Sequence, residues 1–372
     1  MKKPLRSGYT TGACAAAAAK GAVLMLMNQA LVSDTSIDLP AGTSATFLLH
    51  GQTFAPDGAS CFVIKDAGDD PDITNGAEVH AAVTPNPLTP PFDRGESGII
   101  ITGGVGIGKV TKPGLAIQPG GWAINPVPRQ MIEQAVNSVL SEFNIQNQEF
   151  RIVISIPDGE ERAKKTLNAR LGIVGGLSIL GTTGIVRPIS VKAWTDTIDA
   201  ALDVAKACGC RTVVLSTGRS SEIAAQKHLS PLPEEAYIMM GDHVAYALRA
   251  CAERGYMQPV IACQFAKLLK IACGYANTHA AASELDLSLL LEWAKSAQIS
   301  SGNQAIISNA NTAREIAVST GFDRELMELV AGRAAAAASV HVPGIKVRTL
   351  LCGYDEKKGL LIHQGAFCAR TD

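Results

Sequence analysis

The side chains able to do chemistry cluster in a few short stretches. Residues 8–22, GYTTGACAAAAAKGA, set Thr10, Thr11 and Gly12 directly before an Ala-rich helix. Threonine is a good N-cap, and free amides at a helix start favour an anion. Residues 180–188, LGTTGIVRP, repeat that chemistry at Gly181, Thr182, Thr183 and Gly184. Hydroxyl-rich turns of this kind suit a ligand with many oxygens. Residues 63–74, VIKDAGDDPDIT, gather Asp66, Asp69, Asp70 and Asp72 beside Lys65. Alternating carboxylates are one signature of a calcium loop, but the bidentate Glu in register is missing. Turn capping is a second reading. Contact with cationic or hydrogen-donating parts of a ligand is a third.

Residues 103–109, GGVGIGK, come close to a phosphate-cradling loop. Val110 stands where the magnesium-binding hydroxyl belongs, and Pro113 and Gly114 leave no room for the helix such a loop requires. A glycine turn at Gly104 and Gly106 that brings backbone to a ligand, or a purely structural turn, remains. Residues 267–284, KLLKIACGYANTHAAASE, place Lys267 and Lys270 on one helical face, followed by Thr278 and His279 in a polar turn. In residues 123–132, AINPVPRQMI, Arg129 falls in the first turn of a helix, against the dipole, which makes sense if it faces an anion. Cys208 and Cys210 form C-G-C without a matching second pair, so a buried pair at a helix end is the plainer reading than a metal site.

These groups need elements to hold them. The 372 residues suggest about two domains. Basic residues number 33 and acidic 34, only 18% of the chain is charged, and no broad basic surface for nucleic acid is expected. Lys2, Lys3 and Arg6 before an apolar stretch mimic a signal peptide, but the polar 8–12 segment and Lys20 interrupt it. No apolar run reaches membrane-spanning length. Nine cysteines in a long chain fit reduced thiols and a cytoplasmic protein. The fold class is α/β with α+β. Residues 1–146 read as an α+β sandwich, with a helix at 12–28, strands at 46–49, 61–65, 80–84 and 98–102, and a Pro-rich turn at 85–91. Residues 147–340 alternate strand, loop and helix, beginning with a strand at 151–156. Further strands follow at 211–216, 236–240 and 259–263, with helices at 191–208, 244–254 and up to 272. Helices at 286–298, 302–318 and 323–339 come after them. This pattern predicts a Rossmann-like, doubly wound αβα domain whose ligand crevice lies at the carboxyl ends of the strands. Residues 341–372 read as a hairpin of unsettled domain.

Taken in order, LRSGYTTGACAAAAAK, VIKDAGDDPDITNGA, GGVGIGKVTKPGL, AINPVPRQMI, IPDGEERAKKTLNARLGIVGGLSILGTTGIVRP and KLLKIACGYANTH resemble the CbiD family of cobalt-precorrin-5B (C-1) methyltransferases. The resemblance runs from about residue 5 to 295, with departures at Ala280, through the AASELDLSLL stretch and at 242–248. It implies methyl transfer from S-adenosylmethionine to carbon 1 of a cobalt-containing tetrapyrrole, in anaerobic cobalamin biosynthesis. The substrate's acetate and propionate arms call for cationic and hydrogen-donating partners. The substrate site is expected at Arg6, Thr10, Thr11, Gly12, Lys65, Gly104, Gly106, Lys112, Arg129, Lys267, Lys270 and Thr278, with Asp70 facing hydrogen-donating parts of the ligand. The methyl donor is expected at Asp158, Gly159, Gly181, Thr182, Thr183, Gly184, Thr217, Gly218, Gly241 and Asp242. A base for the ring's proton change is sought among His279, Asp66 and Asp69. Cobalt enters with the substrate, so no protein metal site is expected. Neither a nucleic-acid nor a membrane partner is expected, and a homodimer is left open. The competing readings are a nucleotide- or NAD(P)-dependent oxidoreductase of the same pathway and a non-catalytic corrinoid carrier.

Overall fold

The protein is described from a computed structural model, which covers residues 5–86, 98–145, 148–229, 231–355 and 359–366. Most of the Pro-rich 85–91 turn, Lys2 and Lys3 lie outside these residues. The chain divides into two compact units, 1–190 and 191–372.

The first unit is built on a five-stranded sheet ordered His50–Ala55, Gly58–Ile64, Glu78–Asn86, Glu149–Ser155, Ile99–Gly103. All neighbours are antiparallel except the last pair. Alternate residues on one face, among them Cys61, Val63, Val79, Ala81, Ile152 and Ile154, are buried. Helices Thr11–Asn28 and Pro126–Glu142 cover that face. Ala13, Ala15–19 and Ala22 are fully buried, so small side chains let the first helix lie close to the sheet. A helix apolar on nearly all sides belongs inside a core. Thr11–Asn28 is the one helix among the described residues long and apolar enough to cross a membrane, and 78% of it is buried within the protein. The stretch that mimics a signal peptide is thus the central helix of the first unit.

The boundary expected at residue 146 is displaced to 190. The 149–155 strand, expected to begin the alternating domain, pairs on both sides within the first unit's sheet. Phe150, Ile152 and Ile154 are fully buried there, each contributing about 1.5–3 kcal/mol. An apolar strand satisfies either sheet by pattern alone; pairing decides.

The second unit has a sheet ordered Tyr237–Met239, Val214–Ser216, Val260–Cys263, Arg348–Asp355, Gly359–Ala366. The first four strands are parallel and the last antiparallel. Val214, Val260, Ala262 and Leu350 pack with the Arg219–His228 helix, while Leu215, Ile261, Cys263 and Leu351 pack with helices Val191–Ala207, Val244–Glu253, Phe265–Ala272 and Arg324–Val340. Helices therefore lie on both faces of the sheet. The final hairpin belongs to this unit, although part of its turn, 356–358, lies outside the described residues. The expected 302–318 helix is two helices, Ser301–Asn309 and Ala313–Ser319, because Thr312 caps the second through Glu315 N–H. Cys208 is exposed and Cys210 half-buried, and no disulfide joins them, so they are not the buried pair expected.

Candidate functional site

In the first unit, the start of the Thr11–Asn28 helix is stitched to distant loops. Tyr9 N–H donates to the Asp66 carbonyl (2.8 Å), Thr10 N–H to that of Gly184 (3.0 Å) and Gly12 N–H to that of Leu180 (3.1 Å). Thr10 Oγ1 accepts from Ala13 N–H at 3.2 Å. The amides expected to attract an anion are thus largely taken by the protein itself. Thr11 Oγ1 accepts from Leu180 N–H (3.0 Å) and donates to its carbonyl (3.3 Å). Gly181, with φ +127°, lies so close to Thr10 that a Cβ would stand 2.5 Å from its side chain. The two hydroxyl-rich turns therefore meet, and they meet each other first.

Below this junction is a cavity of about 170 Å³ lined by Thr10, Thr11, Lys65, Asp72, Ile73, Thr74, Thr166, Asn168, Leu177, Ser178, Leu180 and Val186. Lys65 is only 2% exposed and donates to Asp72 Oδ2 at 2.6 Å. Asp72 Oδ1 accepts from Thr74 N–H (2.7 Å) and Thr74 Oγ1 (2.6 Å). Burial alone would raise the Asp72 carboxyl, but the hydrogen bonds from Lys65 and Thr74 outweigh it and hold it below its ordinary range. Arg162 fixes the loop behind Asp72, donating to the carbonyls of Ile73 (2.6 Å) and Asn75 (3.0 Å) while pairing with Asp158 (2.7 Å).

Other first-unit candidates are occupied elsewhere. Arg6 forms a two-armed pair with Asp66, and its backbone N–H donates to Asp69 at 2.6 Å. The Arg6 guanidinium keeps the Asp66 carboxyl below its usual range, which suits an ion pair better than a general base. Asp70 accepts from Ile189 N–H at 3.0 Å. Lys112 donates to the Arg170 carbonyl (3.3 Å) and Arg129 to that of Ile101 (3.4 Å), and neither lines the cavity. Gly104 abuts the Ser155 side chain, while Gly106 crosses the backbone of Ile156, Gly159 and Gly176. Gly104 brings backbone close to a side chain and Gly106 backbone close to backbone, so protein fills both approaches. Thr182 and Thr183 are exposed, with Thr183 Oγ1 donating to the Ile185 carbonyl (3.1 Å).

In the second unit, the carboxyl ends of the parallel strands carry a separate constellation. Asp242 pairs with Lys267 and accepts from Thr278 Oγ1 at 2.6 Å. Burial pushes the Asp242 carboxyl up, and those two donors bring it below the ordinary value. Lys267 also donates to the Thr278 carbonyl (3.0 Å), and Lys270 to those of Thr278 (3.3 Å) and Ser283 (3.0 Å). Both lysines thereby order the 277–283 loop. His279 is exposed, and its Nδ1 accepts from Ala281 N–H at 3.2 Å. That bond occupies Nδ1 as an acceptor. Gly241, at φ +59°, lies against the Trp194 indole, whose Nε1–H donates to the Met240 carbonyl (3.1 Å). Thr217 and Gly218 follow the Val214–Ser216 strand, and a Cβ at Gly218 would meet nothing within 4 Å. Ser216 Oγ is buried and has no hydrogen-bond partner among the described residues.

The residues expected to hold the methyl donor do not gather in one unit. Asp158, Gly159 and 181–184 belong to the first, and Thr217, Gly218, Gly241 and Asp242 to the second. The proposed bases are likewise divided, Asp66 and Asp69 from His279. Sequence reasoning passed over Thr74, Asn168, Ser178 and Arg162 around the cavity, and Ser216 and Trp194 in the second unit. Arg162 had a signal, since it follows Asp158 at i+4. Ser216, read as the end of an apolar strand, had none.

A family model described as CbiD matches residues 1–188, and one described as the CbiD C-terminal domain matches 277–364. A Pelobacter propionicus protein named cobalt-precorrin-5B C(1)-methyltransferase is 61% identical, covering 91% of this chain and 92% of its own. A Geobacter sulfurreducens protein of the same name is 58% identical, covering 95% and 97%. A crystal structure of a cobalamin biosynthesis protein (cbiD) from Archaeoglobus fulgidus is 31% identical, covering 72% of this chain and 79% of that one, with a TM-score of 0.39. The first family match ends at 188, two residues short of the boundary between the compact units. With both ends of the chain matched and identity above half along nearly its whole length, the chain belongs to the CbiD family.

Proposed function

We propose that this protein methylates carbon 1 of cobalt-precorrin-5B, giving cobalt-precorrin-6A, with S-adenosylmethionine as donor. The observation that carries the reading is the 61% identity, over 91% of the chain, to a relative named for that reaction. The donor supplies a methyl group already activated by a sulfonium charge. What remains for the protein is to align two reactants and exclude water. A charge-relay nucleophile is unnecessary, and the Asp66, Asp72 and Asp242 carboxylates are held as ion pairs rather than as poised bases.

The second unit is the one we assign to the donor. Its strand order flanks Val214–Ser216, the first of these strands in sequence, with Tyr237–Met239 on one side and Val260–Cys263 on the other. That is a topological switch point of the Rossmann-like kind, where ligands sit outside the carboxyl ends. The unpartnered Ser216 hydroxyl, the open Gly218 and the ionised Asp242 fit a ligand rich in hydroxyl and amino groups. The first unit, with its buried cation and hydroxyl-lined cavity, is assigned to the corrinoid. A cytoplasmic setting follows from the biosynthetic reading. Nothing in the site favours the oxidoreductase alternative.

Incubating the protein with cobalt-precorrin-5B and isotopically labelled S-adenosylmethionine tests the reading. A corrinoid heavier by one labelled methyl group supports it. Transfer that proceeds equally well without S-adenosylmethionine would refute the donor assignment.

A further inference from the structure

We propose that the cavity beside Lys65 is a socket for one carboxylate-bearing side arm of the corrinoid, with the Lys65 ammonium as its ionic partner. The inference deepens the corrinoid assignment of the first unit and rests on it.

The charge comes first. Lys65 lines the cavity yet is 2% exposed, and its backbone is pinned by Lys65 N–H to the Ala77 carbonyl (2.9 Å) and Gly76 N–H to the Lys65 carbonyl (2.7 Å). An ammonium has three donors. Among the described residues Asp72 accepts one of them. Asp72 cannot swing its second oxygen round without giving up both Thr74 bonds. A further acceptor on Lys65 must therefore come from the cavity side.

Size comes next. At about 170 Å³ the cavity is well below the roughly 300–1,000 Å³ of a pocket enclosing a whole small ligand. It excludes a tetrapyrrole ring but admits a short acid arm. The Thr10 and Ser178 hydroxyls and the Asn168 amide line it, the last with one N–H given to the Gly176 carbonyl (3.2 Å), and such donors are what a carboxylate needs once it leaves water. Of the other basic candidates, Arg6 pairs with Asp66, Lys267 with Asp242, Lys270 donates to the carbonyls of Thr278 and Ser283, and Lys112 and Arg129 donate to backbone carbonyls away from the cavity. An amide offers the ammonium one neutral acceptor oxygen where a carboxylate offers two charged ones, so the socket favours acid over amide. Asp72 acts through Lys65 as a positioning residue.

Propionate and propionamide are the probes, used with the full-length protein and with the Lys65→Met and Asp72→Asn variants. Thermal unfolding and corrinoid methylation kinetics are the readouts. Propionate should raise the wild-type unfolding midpoint and compete with the corrinoid, and propionamide should do neither. Lys65→Met should raise KM for the corrinoid roughly ten- to hundredfold, the worth of one charge-assisted hydrogen bond, with kcat changed by less than about twofold. It should also abolish the propionate effect. Asp72→Asn keeps the side-chain shape and removes a negative charge, so propionate should stabilise it more than it does the wild type. A merely structural ion pair would lose stability in Asp72→Asn without gaining response to propionate. Unchanged KM in a folded Lys65→Met, or equal effects of acid and amide, overturns the socket. Should Lys65→Met not fold, absence of a propionate gain in Asp72→Asn overturns it. A wild type that transfers no methyl group refutes the proposed function instead, and the propionate experiments still decide the socket.

Discussion

Replacing Gly106 by alanine tests whether the glycine-rich 103–108 turn is a crossing of backbones. The new Cβ would stand 1.8 Å from the Ile156 carbonyl oxygen and 3.0 Å from Gly159, at a residue with φ +72°. Forcing a Cβ into left-handed backbone costs about 1–2 kcal/mol. Overpacking adds about 1–3 kcal/mol, and more where the obstacle is backbone that cannot rotate away. The bonds from Ile156 N–H to the Val105 carbonyl (2.9 Å) and from Leu177 N–H to that of Gly106 (2.9 Å) must shift as well. The expected loss is about 2–5 kcal/mol, a large part of a typical 5–15 kcal/mol stability. Urea unfolding should show a lower midpoint at an unchanged slope. Hydrogen exchange should lose protection in peptides from 99–110, 150–160 and 173–180. Wild-type stability in Gly106→Ala, together with lost ligand binding, would refute the packing argument and make the turn a ligand cradle.

The Asp72 carboxyl is held below its ordinary 3.8, so the folded protein binds fewer protons there than the unfolded chain. That stabilisation is present above the ordinary value and is lost as pH falls through the folded one. Asp72→Asn should flatten this part of an acid unfolding curve. Asp242→Asn should loosen the 277–283 loop, seen as faster exchange there with little change in the sheet. Gly218→Ala, extended at φ −174° with open space around it, should alter stability by less than about 0.5 kcal/mol. Calorimetry should nonetheless show weaker S-adenosylmethionine binding in Gly218→Ala. A Thr182→Val, Thr183→Val double variant should bind it normally, and the reverse pattern would move the donor to the first unit.

Local order was legible. The apolar period from 191 to 208 and the short runs ending at Ser216, Met240 and Cys263 are the observed helix and strands within a few residues. The strands Asp34–Leu39 and His50–Ala55 were missed, because each mixes polar residues with few apolar ones at the sheet margins. The boundary was misjudged for a different reason: the 149–155 strand reads alike in either sheet until its partners are known. Thr10, Thr11 and Lys65, which line the cavity, carry local signals, hydroxyls before a helix and a cation beside a carboxylate cluster. Asn168, Ser178 and Ser216 carry none, since their roles arise from burial next to residues distant in sequence. Composition left Gly106 as a turn facing a ligand or as a purely structural one, and its neighbours are the remote backbones of Ile156 and Gly176.

The most direct measurement is a single-turnover assay of the full-length protein with cobalt-precorrin-5B and S-adenosylmethionine labelled in its methyl group, the product's labelled carbon being located by NMR. The account expects one labelled methyl on carbon 1 and one equivalent of S-adenosylhomocysteine. No transfer from a folded protein that binds both compounds, or a label on another ring position, would contradict it.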